Sequence, residues 1–123
     1  MRIHRIATLV AGTAIALSGF IVSAQSRTQT FDGYLVDGVC AGNHATEPGY
    51  VEKHDKACNL MDGCIKSGFS LVTSDLKVLK FDAKGNEQAL ALIKATEKDK
   101  DWKVTVSGSV EGSTLAVSSI KLR

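Results

Sequence analysis

A regular alternation of apolar and polar residues near the C-terminus restricts this chain to folds that contain a half-buried β-strand. Residues 102–110 alternate tryptophan and valine with lysine, threonine and serine, and the dipeptide Glu111-Gly112 follows. This pattern predicts a strand, a hairpin turn and a second strand over residues 115–122. The apolar phase changes between Val117 and Ile120, and a β-bulge at Ser118-Ser119 would restore it. The end of the chain is therefore expected to be a bulged antiparallel hairpin.

Three further strands are predicted upstream, over residues 30–36, 68–73 and 77–81, because these segments are rich in aromatic and β-branched residues and end at turn-forming pairs. Residues 87–97 have an apolar side at helical spacing, and Asn86 is a suitable N-cap. Five strands with one helix between the third and fourth predict a mainly β, OB-like Greek-key barrel with some α content. A plain α+β sandwich with one helix is the alternative.

The segment after the first strand is expected to be irregular. Gly42, Asn43, Pro48 and Gly49 predict a loop from Cys40 onwards. A short helix or helical turns are predicted over residues 51–61, to be ended by Gly63.

The N-terminus predicts an exported protein. Two arginines precede an uncharged apolar run over residues 6–22, and Val22-Ser23-Ala24 fits a cleavage site. We therefore expect residues 1–24 to be a signal peptide and residues 25–123 to be one secreted or periplasmic domain with no membrane span. An uncleaved membrane anchor is the alternative.

Net charge argues against nucleic acid as a partner. Losing Arg2 and Arg5 leaves thirteen Lys and Arg against thirteen Asp and Glu, a net charge of zero. A nucleic-acid-binding surface normally carries a basic excess, because phosphate neutralisation supplies most of the non-specific affinity.

Four stretches of the sequence carry a resemblance, namely TFDGYLVDGVC, HDKACNLMDGCIKSGFSLVT, KVLKFDAKGN and VTVSGSVEGSTLAVSSIKL. Together they resemble a group of small, secreted, largely uncharacterised bacterial proteins with OB-like barrels. In that group a strand ending in Asp and Cys precedes a Cys-containing segment, and a VxVxGxxxGxxxxVxSI pattern closes the domain. The resemblance covers nearly all of residues 25–123 and implies a bacterial envelope protein with this fold. It implies no substrate.

All three cysteines, and the two histidines outside the leader, lie within residues 40–64. His54 and Cys58 are four residues apart and would share one face of a helix. Imidazole and thiolate are ligands for zinc or copper, and four of the five residues would complete a tetrahedral site. The candidate metal ligands are Cys40, His44, His54, Cys58 and Cys64.

A structural disulfide is the competing prediction, since exported cysteines meet an oxidising environment. Three cysteines allow three pairings, each leaving one thiol. If residues 58–64 stay helical, Cys58 and Cys64 face different ways, which favours Cys40 pairing with either. If Gly63 breaks the helix, Cys58 with Cys64 is feasible. A thiol redox protein is less favoured, because no C-x-x-C motif is present.

Aromatic residues on the strands give a third candidate feature. Tyr34, Phe69 and Trp102 could form a ligand-binding face of the kind that OB-folds use, although this spacing is more typical of core packing. The sequence therefore predicts a non-enzymatic envelope binding or accessory module with a disulfide-stabilised Cys/His loop, which binds zinc or copper and serves a small ligand or another envelope protein. The alternatives are a thiol or metal redox protein that uses the unpaired cysteine, and a purely structural accessory subunit.

Overall fold

Five strands and five helices make up the structure, a computed structural model that describes residues 27–123. The predicted signal peptide lies outside the described residues. In chain order the elements are β1 (Gln29–Asp37), α1 (Gly38–His44), α2 (Tyr50–Lys53), α3 (Lys56–Asn59), α4 (Asp62–Ser67), β2 (Phe69–Thr73), β3 (Val78–Phe81), α5 (Ala83–Ala95), β4 (Lys103–Glu111) and β5 (Thr114–Leu122). No helix within residues 27–123 has both the length and the apolar character needed to cross a bilayer.

The five strands form one sheet that closes into a ring in the order β1-β2-β3-β5-β4, with β4 pairing back onto β1. All pairs are antiparallel except β3 with β5, which are parallel. The predicted α+β content, the five strands and the helix between the third and fourth strands are confirmed.

The C-terminal hairpin forms as its alternation predicts. Val104 and Val106 are fully buried, and the polar residues that alternate with them, Lys103, Thr105 and Ser107, are more exposed. Ser107 pairs with Ser119 whereas Gly108 pairs with Val117, so Ser118 is the extra residue of a bulge in β5. The predicted bulge is confirmed.

Helix α5 starts four residues earlier than predicted. Asp82, not Asn86, is the N-cap, and its carboxylate accepts a hydrogen bond from the Gly85 N–H at 2.9 Å. The same oxygen accepts from the Val117 N–H at 3.2 Å, which ties the helix start to β5. Asn86 lies inside the helix and accepts from the Phe69 N–H at 2.8 Å. Both residues are good caps by type, and the extra contact with β5 favours Asp82.

Two apolar clusters pack against the sheet, one inside the ring and one outside it. The larger fills the ring and packs under α5 around Leu35, Leu71, Ile93, Trp102 and Leu115. The smaller lies outside the ring, where Val36, Ala41, Ala45, Val51 and Val72 join β1 and β2 to the short helices. The C-terminal end of β1 is therefore buried on both faces.

The segment between β1 and β2 is more helical and more broken than predicted. The expected loop begins with α1, and the expected helix over residues 51–61 is two single turns, α2 and α3. His54 and Asp55 between them have extended backbones, because the Asp55 side chain caps a new helix by accepting from the Cys58 N–H at 2.8 Å. Gly63 lies inside α4, and Gly68, with a φ of 77°, ends that helix.

Replacing Gly108 with alanine is expected to destabilise the sheet. A Cβ at this position would lie 2.2 Å from the Ala116 carbonyl oxygen, a backbone atom of the strand that pairs with β4. We expect Gly108→Ala to cost about 1–3 kcal/mol of unfolding free energy, the usual scale for overpacking. Urea unfolding checks this.

Gly42→Ala is the matched control, since Gly42 is helical and a Cβ there has no neighbour within 4 Å. It should stabilise the protein slightly, because alanine is the better helix former. Equal losses in the two variants would contradict the proposed clash.

Candidate functional site

The candidate site begins at Asp37, the last residue of β1. Its side chain is fully buried, and its Oδ1 caps α1 by accepting from the Cys40 N–H at 3.0 Å. Gly38 follows, and a Cβ there would lie 2.7 Å from the Ser67 carbonyl oxygen. Only glycine therefore lets the start of α1 approach the end of α4 this closely, and that approach places Cys40 next to Cys64.

Asp37, Cys40 and Cys64 form a compact group of possible metal ligands. One carboxylate oxygen and two sulfur atoms lie within 4.8 Å of one another, with Asp37 and Cys64 buried and Cys40 partly buried. The three residues come from β1, α1 and α4. The group is therefore formed by tertiary packing and not by one local motif.

His54 and Asn59 hold Asp37 in place. The His54 Nε2 lies 2.9 Å from both Asp37 Oδ2 and Asn59 Oδ1, and the same Asn59 oxygen accepts from the Asp37 N–H at 3.1 Å. Since both neighbours of Nε2 are acceptors, this nitrogen carries the proton. The contact with Asn59 has hydrogen-bond geometry and the one with Asp37 does not, which leaves Asp37 Oδ2 without a full hydrogen bond among the described residues.

These surroundings lower the pKa of the Asp37 carboxyl group and raise the pKa values of the two thiols. Burial alone would raise the pKa of Asp37, but the close His54 ring N–H, the hydrogen bond from the Cys40 N–H and the two thiols lower it to about 2. Burial, helped by the neighbouring carboxylate, raises the pKa of Cys64 to about 11. Burial also raises the pKa of Cys40. At neutral pH the group therefore holds one carboxylate and two protonated thiols.

An aromatic stack covers one side of the group. The Tyr50 ring lies between the rings of His44 and His54, with centroid separations of 4.6 Å and 5.8 Å. Burial raises the pKa of Tyr50, and a hydrogen bond with the Cys40 thiol adds to the shift. His44 lies on the far side of this stack, where its Nδ1 is 2.7 Å from Glu47 Oε1.

Cys58 lies near the group but outside it. It lines an open cleft of about 300 Å³ together with Glu47, Pro48, Gly49, Tyr50, Lys53 and His54. Its thiol is next to the Asp55 carboxylate, and this contact is the main cause of its raised pKa.

The structure brings together only part of the predicted metal set. Cys40 and Cys64 are adjacent, His54 contacts Asp37 instead of joining the group, and His44 and Cys58 stand apart. The expected pairing of His54 with Cys58 on one helical face does not form, because the helix breaks at residues 54–55. Asp37 was not among the predicted ligands, although an Asp three residues before Cys40 is a cap signal that predicts their proximity.

The three predicted disulfide cysteines are free thiols in the described part of the chain. The sulfur atoms of Cys40 and Cys64 lie within 4.8 Å of each other, so this is the pairing that the packing favours. A disulfide stays a prediction.

The proposed aromatic face is not available as a surface. Phe69 and Trp102 are 2% and 0% exposed and belong to the cluster inside the ring, and Tyr34 is partly buried. The indole N–H of Trp102 is also satisfied, since it donates to the Asp99 carbonyl at 3.0 Å. These residues pack the core, which is the role that strand spacing more often gives them.

The chain has no match among protein-family models, among curated proteins or among solved structures.

Proposed function

We propose that this chain is an OB-like module that binds one transition-metal ion, Zn²⁺ or Cu⁺, through Asp37, Cys40 and Cys64. The ring order, the parallel β3–β5 pair and the helix between β3 and β4 support the OB assignment. The single observation that carries the metal proposal is the convergence of one carboxylate oxygen and two sulfur atoms within 4.8 Å.

The chemistry of this group favours a soft or borderline metal. Two thiolates select zinc or cuprous copper over hard cations such as Mg²⁺ or Ca²⁺, which prefer oxygen ligands alone. Metal-binding carboxylates are usually held by a further hydrogen-bonding residue, and His54 is placed to do this for Asp37. Three protein ligands leave a fourth position for an exchangeable partner.

We infer that the module works in the bacterial envelope and binds without catalysing a reaction. The apolar leader and the resemblance to secreted OB-like proteins support the location. The raised pKa values of Cys40 and Cys64 support binding over nucleophilic catalysis, since a thiol that stays protonated at neutral pH is a weak nucleophile.

A structural disulfide between Cys40 and Cys64 is the second candidate use of the same two sulfur atoms. Their separation supports it, and an oxidising compartment would favour it. It excludes the metal, because a disulfide offers no thiolate ligand.

Native mass spectrometry of the reduced protein, loaded with Zn²⁺ or with Cu⁺ under anaerobic conditions, tests the proposal. We expect wild type to bind one ion. The fractions of free and loaded protein are then compared between wild type and Cys64→Ser. Removing a direct ligand should weaken binding by more than about a hundredfold, the upper end of the effect of residues that only contact a ligand.

His44→Ala is the matched control, because His44 lies beyond the Tyr50 stack and pairs with Glu47. It should bind like wild type. If His44→Ala loses the metal and Cys64→Ser keeps it, the ligands would include the histidines predicted from the sequence, and the proposed site would be wrong. A protein purified from the envelope without reductant that carries a Cys40–Cys64 disulfide would favour the structural candidate.

A further inference from the structure

A second open pocket, of about 350 Å³, lies between α1 and β3 on the outer face of the ring. Small residues of α1 and of the turn after it form one wall. The other wall is β3, whose Val78 and Lys80 point outwards, because Leu79 and Phe81 alternate with them and pack inside the ring. The volume is within the range of about 300–1,000 Å³ that is usual for small-ligand pockets.

The floor of this pocket is apolar. Ala41 and Ala45 are buried in the cluster outside the ring, and Val78 packs against that cluster. Leu76 stands at the rim, in the turn between β2 and β3, with 47% of its surface exposed. A ligand in the pocket would therefore cover apolar surface that water now contacts.

The backbone of Leu76 is strained. Its φ is 63°, in the left-handed region that a bulky side chain rarely adopts. The turn is held by its hydrogen bonds, since the Leu76 N–H donates to the Thr73 carbonyl at 2.9 Å and the Lys77 N–H donates to Thr73 Oγ1 at 3.1 Å. Glycine or asparagine would fit this position with less strain. Strained residues that their surroundings hold in place are typical of ligand-binding positions, and this one presents an apolar side chain to solvent.

The opposite end of the pocket is polar and positively charged. Lys80 is the only charged residue among those that line the pocket, and it makes no ion pair within residues 27–123. Its backbone N–H donates to the carbonyl of Ser113, which also lines the pocket. Ser70 pairs with Lys80 across β2 and β3, and its buried hydroxyl has no hydrogen-bond partner in the described part of the chain. An unpaired cation and an unpaired hydroxyl are thus neighbours at this end.

We propose that this pocket binds a small amphipathic carboxylate. Its apolar chain lies against Val78 and Leu76, and its carboxylate pairs with Lys80. A single lysine balances a single negative charge, which favours a carboxylate over a dianionic phosphate ester. The site is separate from the candidate metal group, because Asp37, Cys40 and Cys64 do not line it.

Titration of the reduced, metal-free, isotope-labelled protein with octanoate, followed by two-dimensional NMR, tests the proposal. We expect saturable shifts of the amides of residues 41–46 and 76–80. The Kd should be on the order of millimolar, as is usual for a ligand of about ten non-hydrogen atoms. Octanol, which has the same chain without the charge, is titrated in parallel.

Two variants separate the contribution of the charge from that of the apolar rim. Lys80→Gln should weaken octanoate binding about fivefold, the upper end for an exposed ion pair, and leave octanol binding unchanged. Leu76→Asn should weaken both ligands about fivefold, since about half a leucine side chain no longer packs on the chain. Its urea midpoint should stay close to that of wild type, because asparagine adopts positive φ more readily.

Lys77→Gln is the matched control. Lys77 is three residues from Lys80, lies 3.6 Å from Asp75 and lines a different pocket. It should bind octanoate like wild type. Shifts that do not saturate, or that centre on other residues, would overturn the proposal. Equal losses of octanoate and octanol in Lys80→Gln would also overturn it, since the lysine would then not recognise the charge.

Discussion

Replacing Asp37 with alanine should remove about 3 kcal/mol from the unfolding free energy of the reduced, metal-free protein. The loss of the α1 cap, which leaves the Cys40 N–H without its acceptor, costs about 1 kcal/mol, and the loss of the buried contact between the carboxylate and the His54 ring N–H costs about 1–3 kcal/mol more. Since a domain of this size has only about 5–15 kcal/mol in total, the effect is large. Urea unfolding followed by the fluorescence of Trp102, which is fully buried, measures it.

Asp55→Ala is the control for this experiment. Asp55 caps α3 with the same geometry as Asp37 caps α1, but it is less buried. It should therefore lose only the cap, about 1 kcal/mol. Equal losses in the two variants would show that the contacts of Asp37 with His54 add nothing. If Asp37→Ala does not fold, Asp37→Asn keeps the cap oxygen and still removes the charge.

The Asp37 carboxylate should make the unfolding free energy depend on pH. Its pKa is about 2 in the folded protein, below the ordinary value of 3.8. A depressed folded pKa contributes stability above the unfolded pKa and loses it as pH falls through the folded one. Wild type should therefore lose more stability than Asp37→Asn between pH 4 and about pH 2.

Metal affinity should rise by about two decades per pH unit near neutrality, since each thiol must lose a proton before it binds. The pKa of Cys64 is raised to about 11 and that of Cys40 is raised as well, so both are protonated at pH 7. Asp37 is already ionised and adds nothing to this dependence. Competition titrations with a chelator between pH 6 and pH 8 give the slope.

Cys64→Ser should reduce that slope to about one decade per pH unit, because one proton-releasing ligand is gone. Cys58→Ser should keep the full slope, since Cys58 lies outside the ligand group. A wild-type slope near zero would mean that the thiols are not ligands.

The strands could be predicted from the sequence because their signals are local. The alternation over residues 102–110 and the phase change near Ser118 both depend on neighbours a few positions away, and both were confirmed. The predicted start of α5 was wrong because Asp82 and Asn86 are equally good N-caps by residue type. Only the contact of Asp82 with Val117, 35 residues further on, separates them.

The site was only half predictable for the same reason. Cys40 and Cys64 were in the predicted set, since cysteines and histidines are conspicuous wherever they lie. The role of Asp37 depends on burial at the end of β1, which is decided by closure of the sheet and by packing of α1 against α4. His44 and His54 look alike in sequence, and only the fold places one against Asp37 and the other against Glu47.

The closed ring also limits how copies of this protein can associate. Each of the five strands in the described part of the chain has a neighbour on both sides, although β3 and β5 pair at only two positions. Beyond these positions the Asp82 and Gln88 side chains bond the Val117 N–H and the Ser118 carbonyl, so the edge that is open to a strand of another molecule is short. Exposed edges are the usual template for β-aggregation and for binding by strand addition. Recognition of a partner is therefore left mainly to side chains, and residues 38–67 are the longest segment outside the ring.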